Sequence, residues 1–309
     1  MEDTELKVVP TEYIVIRPPI EGSSHSVLIP VTGGCSWNRC AFCGTYKGMY
    51  NGIVQKYAIR PLEEVLHDID YYAEHNYHNF PVFLAGGNPT SAPTDYLVKI
   101  IKYIRMKIRD VPRVSCYAKA LDILRKSDDE LKELAEAGLD IVYMGLESGS
   151  SIILKKMKKG TNAESMIKAG KRVLNAGIKL SLYIILGLGG KKLSKEHVKE
   201  TARVITEINP TIFRFRTLNI VPFSDLFKEY NNGEFELLSP VENLIEEREI
   251  IANLGENVTS EVYNDHFINY CDFESQNIKN DRKLFLKALD ALIENPKIQS
   301  LPRINYTRL

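Results

Sequence analysis

Short apolar runs bounded by turn residues alternate along this chain with longer stretches of helical spacing. "SVLIPVTGG" is β-rich and ends in glycines, and "RPLEEVLHDIDYYAEHN" predicts a helix with Leu62, Val65, Leu66, Ile69 and Tyr72 on one face. "FPVFLAGG" predicts a buried strand, and "TDYLVKIIKYIRMKI" a helix capped by Thr94. "PRVSCYAK" is a strand. "SDDELKELAEAG" is a helix with Ser127 and Glu130 as a capping box and Gly138 at its end. The alternation continues with the strand "LDIVYMGLE" and the helix "NAESMIKAGKRVLNAG", which ends at Gly177. The strand "IKLSLYIILGLGG", the helix "SKEHVKETARVITEIN", closed by Asn209-Pro210, and the strand "TIFRFRTLNIVP" complete it. Strands separated by helices in this way imply parallel pairing through right-handed crossovers. The expected fold is therefore α/β, a partial or full TIM-type barrel of (β/α)6 form rather than a doubly wound sheet. Gly33-Gly34, Gly86-Gly87 and Gly189-Gly190 each fall just after a strand. In a β/α barrel that is the rim on which active sites are built.

Beyond Phe223 the pattern loosens. Two helical stretches, "PVENLIEEREIIANLG" and "DRKLFLKALDALIEN", flank the polar, aromatic "VTSEVYNDHFINYCDFESQN". The expected organisation is an N-terminal extension over 1–25, a barrel core over 26–222 and a helical C-terminal cap over 223–309.

The 309 residues are 44% hydrophobic, enough for a large core, and carry 40 basic and 40 acidic side chains. That balance gives no strong electrostatic footprint and argues against nucleic acid as the partner. The first residues are charged and lack the apolar core of a leader, and no apolar run approaches the roughly 18 residues of a membrane span. The expected location is the cytoplasm, with no membrane partner. The five cysteines are odd in number and three of them cluster, which in a reducing compartment favours metal binding over a disulfide frame.

Those three stand in "TGGCSWNRCAFCGTY" as Cys35, Cys40 and Cys43, a CX4CX2C pattern. Thiolates are soft ligands suited to iron–sulfur clusters and zinc. Zinc sites usually close with four protein ligands. Here Cys116 and Cys271 are far away in sequence. Three thiolates can hold three irons of a 4Fe–4S cube and leave the fourth open to an amine and a carboxylate. The competing reading is a zinc ion completed by Cys116, Cys271 or a histidine, in a barrel that binds a ligand without redox chemistry. His25, nearby, reads as polar loop.

With these motifs in order, the sequence resembles the radical S-adenosylmethionine (SAM) superfamily over roughly Val27 to Leu226. The likeness is to its methylthiotransferase and oxygen-independent coproporphyrinogen-oxidase-like branch. The resemblance implies a 4Fe–4S cluster on Cys35, Cys40 and Cys43 and the cofactor SAM. It places Phe42 near the adenine, and "AGGNP" (Gly86, Gly87, Asn88, Pro89) at the SAM amine. It places Glu147 and Ser148 of "YMGLESGS" at the ribose or methionine portion, and Leu186 and Gly187 of "YIILGLGG" along the adenine. The segment "LNIVPFSDLFKEYNNGEF" is similar to the family's closing motif. The departures are one extra residue in the cysteine loop, Asn88 where Glu is usual, "GLGGKK" without the customary Pro-Gly-Glu, and Thr45 where coproporphyrinogen oxidases carry a further cysteine.

The implied reaction is reductive cleavage of SAM to a 5′-deoxyadenosyl radical that abstracts hydrogen from a small-molecule or peptide substrate. Its electron would come from a donor such as flavodoxin or ferredoxin. A tRNA-modifying enzyme is the weaker variant, and a relative that binds SAM only as a sensor is a third. Candidates for the chemistry itself are Arg216, with Arg214 on the same strand face, and Tyr270 and Cys271 in the tail; Cys116 reads as core.

Overall fold

The structure, a computed structural model, describes residues 13–15, 18, 26–50 and 52–302. Apart from 13–15 and 18, the extension expected over 1–25, including His25, lies outside them.

The elements run β1 (Val27–Pro30), β2 (Thr32–Gly33), β3 (Ala58–Ile59), α1 (Leu62–Glu74), β4 (Val82–Ala85), α2 (Thr94–Lys107), β5 (Val114–Ala118), α3 (Ala120–Arg125), α4 (Asp128–Ala137) and β6 (Ile141–Glu147). They continue with α5 (Ser151–Lys156), α6 (Ala163–Asn175), β7 (Lys179–Leu186), α7 (Gly190–Ile208), β8 (Ile212–Thr217), α8 (Asp225–Asn231), α9 (Pro240–Ala252), β9 (Glu261–Tyr263), β10 (Glu274–Ser275), α10 (Ile278–Ile293) and α11 (Pro296–Gln299). The main sheet has the order β1-β4-β5-β6-β7-β8-β9-β10. All six strands expected from the pattern are in it, in sequence order.

Two compact units interleave along the chain. One comprises Met1–Asn38, Tyr46–Met144 and Arg172–Leu180; the other comprises Arg39–Thr45, Gly145–Lys171 and Ser181–Leu309. In the first, β1 pairs with β4, β4 with β5 and β5 with β6, all parallel. Every residue of β1 and of β4 is buried. Strands of a parallel sheet covered on both faces need such continuous apolar runs. The short β2 and β3 form a separate antiparallel pair, Thr32 opposite Ile59 and Gly33 opposite Ala58. In the second unit, β7 pairs with β8 and β8 with β9 in parallel, and β10 returns antiparallel on β9.

Several expectations are met at the level of single caps. Ser127 and Glu130 form the capping box of α4, and Gly138 ends it at φ 105°. Asn209 closes α7 in the left-handed region at φ 46°. One is corrected: α2 is not capped by Thr94. Pro93 holds the N-cap position, and the Thr94 hydroxyl donates instead to Oε1 of the capping-box residue Glu130, 2.7 Å away. Among the described residues no helix is long and apolar enough to cross a membrane. The tail is not purely helical either: β9 continues the sheet beyond β8, with Ile212 opposite Glu261 and Arg214 opposite Tyr263.

Candidate active site

In the first unit the start of the cysteine loop is seated on the Gly86-Gly87 turn at the end of β4. The Gly87 N–H donates to the Gly34 carbonyl at 3.1 Å. A β-carbon at position 87 would collide with that carbonyl and lie 2.7 Å from the Cys35 Cα and 2.8 Å from its Cβ. Gly86 has φ 123°, open to glycine and costly for other residues. The turn can therefore approach the Cys35 backbone only because it carries no side chains. Within the CX4CX2C loop, Asn38 lies in the left-handed region, φ 42°, where asparagine is tolerated.

Asn88 is fully buried and its amide is used within the protein. Its Oδ1 accepts from the Ser36 N–H at 3.0 Å, and its Nδ2 donates to Ser36 Oγ at 2.8 Å and to Asp122 Oδ2 at 2.6 Å. Lys119 donates to the same Ser36 hydroxyl at 2.7 Å. Asparagine at this position thus ties the turn to the residue after Cys35. The neighbour Asp122, 3% exposed, explains why an amide stands there: a carboxylate has nothing to donate to it. Asn88→Glu is expected to set two carboxylates against each other and destabilise the fold by at least about 2 kcal/mol, measured by denaturant unfolding, with lower iron retention. Pro89 is buried and opens a 3-10 turn over Pro89–Ser91.

In the second unit the rest of the loop, with Cys40 and Cys43, is fixed by its own backbone. Ala41 donates to the Met157 carbonyl and accepts from the Leu226 N–H, both at 2.8 Å. The Cys43 N–H donates to the Cys40 carbonyl at 3.3 Å. Phe42 and Ile185 pack, half-buried, on the core cluster around Leu188 and Leu226.

Glu147 ends β6 at φ 61°, at the centre of a three-residue turn in which the Ser148 N–H reaches the Leu146 carbonyl at 2.7 Å. Such a γ-turn is strained for a residue with a side chain, and retained strain of this kind clusters at functional sites. Its carboxylate is paired with Lys159 Nζ at 2.6 Å, and that ammonium stands 5.8 Å from the Phe42 ring centre.

Behind this turn, α7 grips it from inside. Ser148, fully buried, shares a hydrogen bond with His197 Nδ1 at 2.8 Å and accepts from the Ser150 N–H at 3.1 Å. The Gly149 N–H donates to Thr201 Oγ1 at 2.9 Å. The other ring nitrogen of His197 faces Glu246 Oε1 at 3.6 Å. Glu246 in turn accepts from the Gly187 N–H at 2.5 Å and from the Ser194 hydroxyl. Burial pushes His197 down to about 3 and keeps it neutral. Burial also pushes Glu246 from 4.5 up to about 7, against the opposing hydrogen bonds from Ser194 and Gly187. A carboxyl whose folded value lies above its unfolded one lends stability that fades as pH rises, here from 4.5 through about 7. Leu186 and Gly187 are buried with it.

On β7 and β8 one face is distinct. Leu182, Ile184 and Leu186 are fully buried, whereas Tyr183 and Ile185 between them are half-exposed, and so is Arg216 on β8. The register puts Tyr183 opposite Arg214 and Ile185 opposite Arg216. Arg214, 1% exposed, pairs with Asp265 at 3.1 Å and stacks 4.2 Å from the centre of the Tyr263 ring. Arg216 lies 5.1 Å from the Tyr183 ring centre and donates to the Phe215 carbonyl. His266 is held neutral, near 4, first by burial and then by Arg216.

Tyr270 is half-buried, and Cys271 is buried, its thiol pushed up to about 12 by desolvation and by Glu247 and Asp272. Cys116 sits in the β5 core, pushed up to about 12 by burial as well. Sequence reasoning did not single out Asp122, Lys159, His197 or Glu246. His197 did carry a signal, since it shares the helical face of Thr201, Ile205 and Ile208.

A family model described as the Radical SAM superfamily matches residues 29–205, more than half of the chain. The chain belongs to that superfamily, and it is an enzyme using a 4Fe–4S cluster and SAM on an α/β fold of partial TIM-barrel class. It is 25% identical over 232 residues to the uncharacterized protein MJ0486 of Methanocaldococcus jannaschii, covering 73% of this chain and 70% of that one. It is 26% identical over 214 residues to biotin synthase of Buchnera aphidicola subsp. Schizaphis graminum, covering 69% and 59%. The fold is shared with coproporphyrinogen III oxidase (HemN) from Escherichia coli at TM-score 0.53 and 19% identity, over 74% of this chain and 51% of that one. The chain thus spans less than two thirds of the latter two proteins.

The cysteine loop carries three soft donors of the kind an iron–sulfur cluster takes. Cys35, Cys40 and Cys43 form no disulfide, and each is half-buried. Among the described residues no three His, Cys, Asp or Glu side chains are grouped closely enough to hold a metal ion. A cubane asks for a different arrangement, with each thiolate on its own iron.

Proposed function

We propose that Cys35, Cys40 and Cys43 hold the cluster and that the turns ending β4, β6 and β7 form the SAM site. The backbone of Gly86, Gly87, Asn88 and Pro89 would meet the amine, with the Asn88 side chain reserved for bracing the loop. Glu147 would meet the ribose or methionine part, Phe42 the adenine, and Leu186 and Gly187 its flank. Ser148 supports the Glu147 turn from behind. When bound, the cofactors supply one electron to the sulfonium, carbon–sulfur cleavage and a 5′-deoxyadenosyl radical that takes a hydrogen atom from the substrate. The chain's own residues bind, orient and exclude water.

The substrate, a small molecule or peptide, would lie against the face of Tyr183, Ile185 and Arg216 and present an anionic group to Arg216. The observation that carries this reading is the half-exposed row of Tyr183, Ile185 and Arg216 on β7 and β8, with Arg216 braced by the Tyr183 ring. Arg214, engaged by Asp265, serves as scaffold. Cys271 remains a protonated thiol, the form from which a hydrogen atom can be given. The electron would come from a flavodoxin- or ferredoxin-like protein.

Anaerobic reconstitution tests the core of this. The wild-type protein is expected to be brown, with about four iron per chain, and to release 5′-deoxyadenosine from SAM on reduction. In a panel of carboxylated and neutral candidate substrates, Arg216→Gln should erase any stimulation of that release by the carboxylated members and spare uncoupled cleavage. Equal stimulation of Arg216→Gln and wild type would refute the anionic-substrate assignment.

A further inference from the structure

The buried pair His197–Glu246 connects the two strand-end turns that matter most in the second unit. Through His197 Nδ1 it holds Ser148, one residue past Glu147, and through Glu246 Oε1 it holds the Gly187 N–H after β7. His197, Glu246 and Ser148 are each no more than 1% exposed, so none of them is available to a ligand directly. Nor is the pair ordinary core. A neutral imidazole and a carboxyl occupy places where apolar side chains would pack at lower cost, and His197 Nε2 is buried without a hydrogen bond, the Glu246 oxygen lying 3.6 Å from it.

We infer that His197 and Glu246 are positioning residues that lock the Glu147 turn and the Gly187 turn into one arrangement and thereby set the affinity for SAM. This rests on the reading that those two turns face SAM.

The remaining charged groups around Glu246 are engaged elsewhere. On α9, Glu242 takes the Ser239 N–H and Lys191 of α7, and Glu247 accepts from Asn264. Arg248 pairs with Glu249 and with Asp290 of α10. Glu246 is faced by His197 and Ser194 of α7 and by the Gly187 N–H. When Glu246 is ionised, the Gly187 N–H and the Ser194 hydroxyl donate to an acceptor, with His197 Nε2 3.6 Å away. When it is protonated, one of its oxygens becomes a donor and competes for the same contacts. With its value near 7, that change falls within the working range.

The test is SAM binding to the anaerobically reconstituted enzyme between pH 6 and pH 8.5, with iron content and Tm measured alongside. The wild-type Kd should rise severalfold from pH 8 to pH 6, with a midpoint near 7. Glu246→Gln should flatten that profile, and His197→Asn, which keeps a polar group near Ser148 but loses the contact with Glu246, should weaken SAM roughly tenfold. Ser194→Ala, a milder change that leaves the fold intact, should shift the midpoint. Variants that lower Tm yet keep the wild-type Kd and pH profile would reduce the pair to packing and overturn the inference. Glu147→Gln separates the two levels. If it alters Kd while the Glu246 and His197 variants do not, the inference fails and the SAM-site reading stands; if it leaves Kd unchanged, both fall.

Discussion

Replacing any one of Cys35, Cys40 and Cys43 by alanine is expected to abolish release of 5′-deoxyadenosine and to strip most of the iron from the anaerobically purified protein. A cube with a single open corner has no spare protein ligand, so losing one thiolate costs both retention of the metal and the geometry in which SAM is bound. Cys116→Ala and Cys271→Ala provide the contrast. Both thiols are buried and held protonated by their surroundings, which makes them poor ligands. Their removal should leave the iron content unchanged. The zinc alternative expects the opposite for at least one of them, since it needs a fourth donor. Metal analysis of the five single variants therefore decides between the two chemistries.

Gly87→Ala is expected to cost about 1–3 kcal/mol of stability and, disproportionately, to lower cluster content. The added methyl would press on backbone and on the Cys35 Cα, neither of which can rotate away as a side chain end would. Relief requires the Cys35 segment to move off the β4 turn. If the loop is seated as described, iron per chain should fall much more than the modest change in denaturation midpoint would suggest. Wild-type iron content in Gly87→Ala would mean that the cysteine loop does not depend on this seat.

The strands and main helices were legible because apolar runs and helical spacing are strong signals in a sheet buried on both faces. The capping box of α4 and the left-handed close of α7 were legible for the same local reason. Thr94 was misassigned because a tertiary partner, Glu130, outcompeted the cap it could have made within its own helix. The short helices α3 and α5 and the strands β9 and β10 escaped notice because two to six residues hold too little periodicity.

The candidate site was legible where chemistry needs rare residues at fixed spacing, as in the cysteines and the glycine pair. It was opaque where polar side chains are buried against expectation. On α9, Asn243, Glu246 and Glu247 face inward while Ile245 is 42% exposed, an inversion that hydrophobic patterning cannot anticipate. The departure at Asn88 likewise makes sense only once Asp122 is seen beside it.

The pairing of β9 with β8 bears on any attempt to exchange substrate preference by grafting the tail of one relative onto the barrel of another. Cutting near residue 222 would strip β8 of its neighbour and leave a row of unpaired amides and carbonyls along Ile212 to Arg214, a template for self-association. A chimera that carries β9 over with its recipient's β8 should remain monodisperse, whereas one that splits the pair should precipitate before its specificity can be assayed.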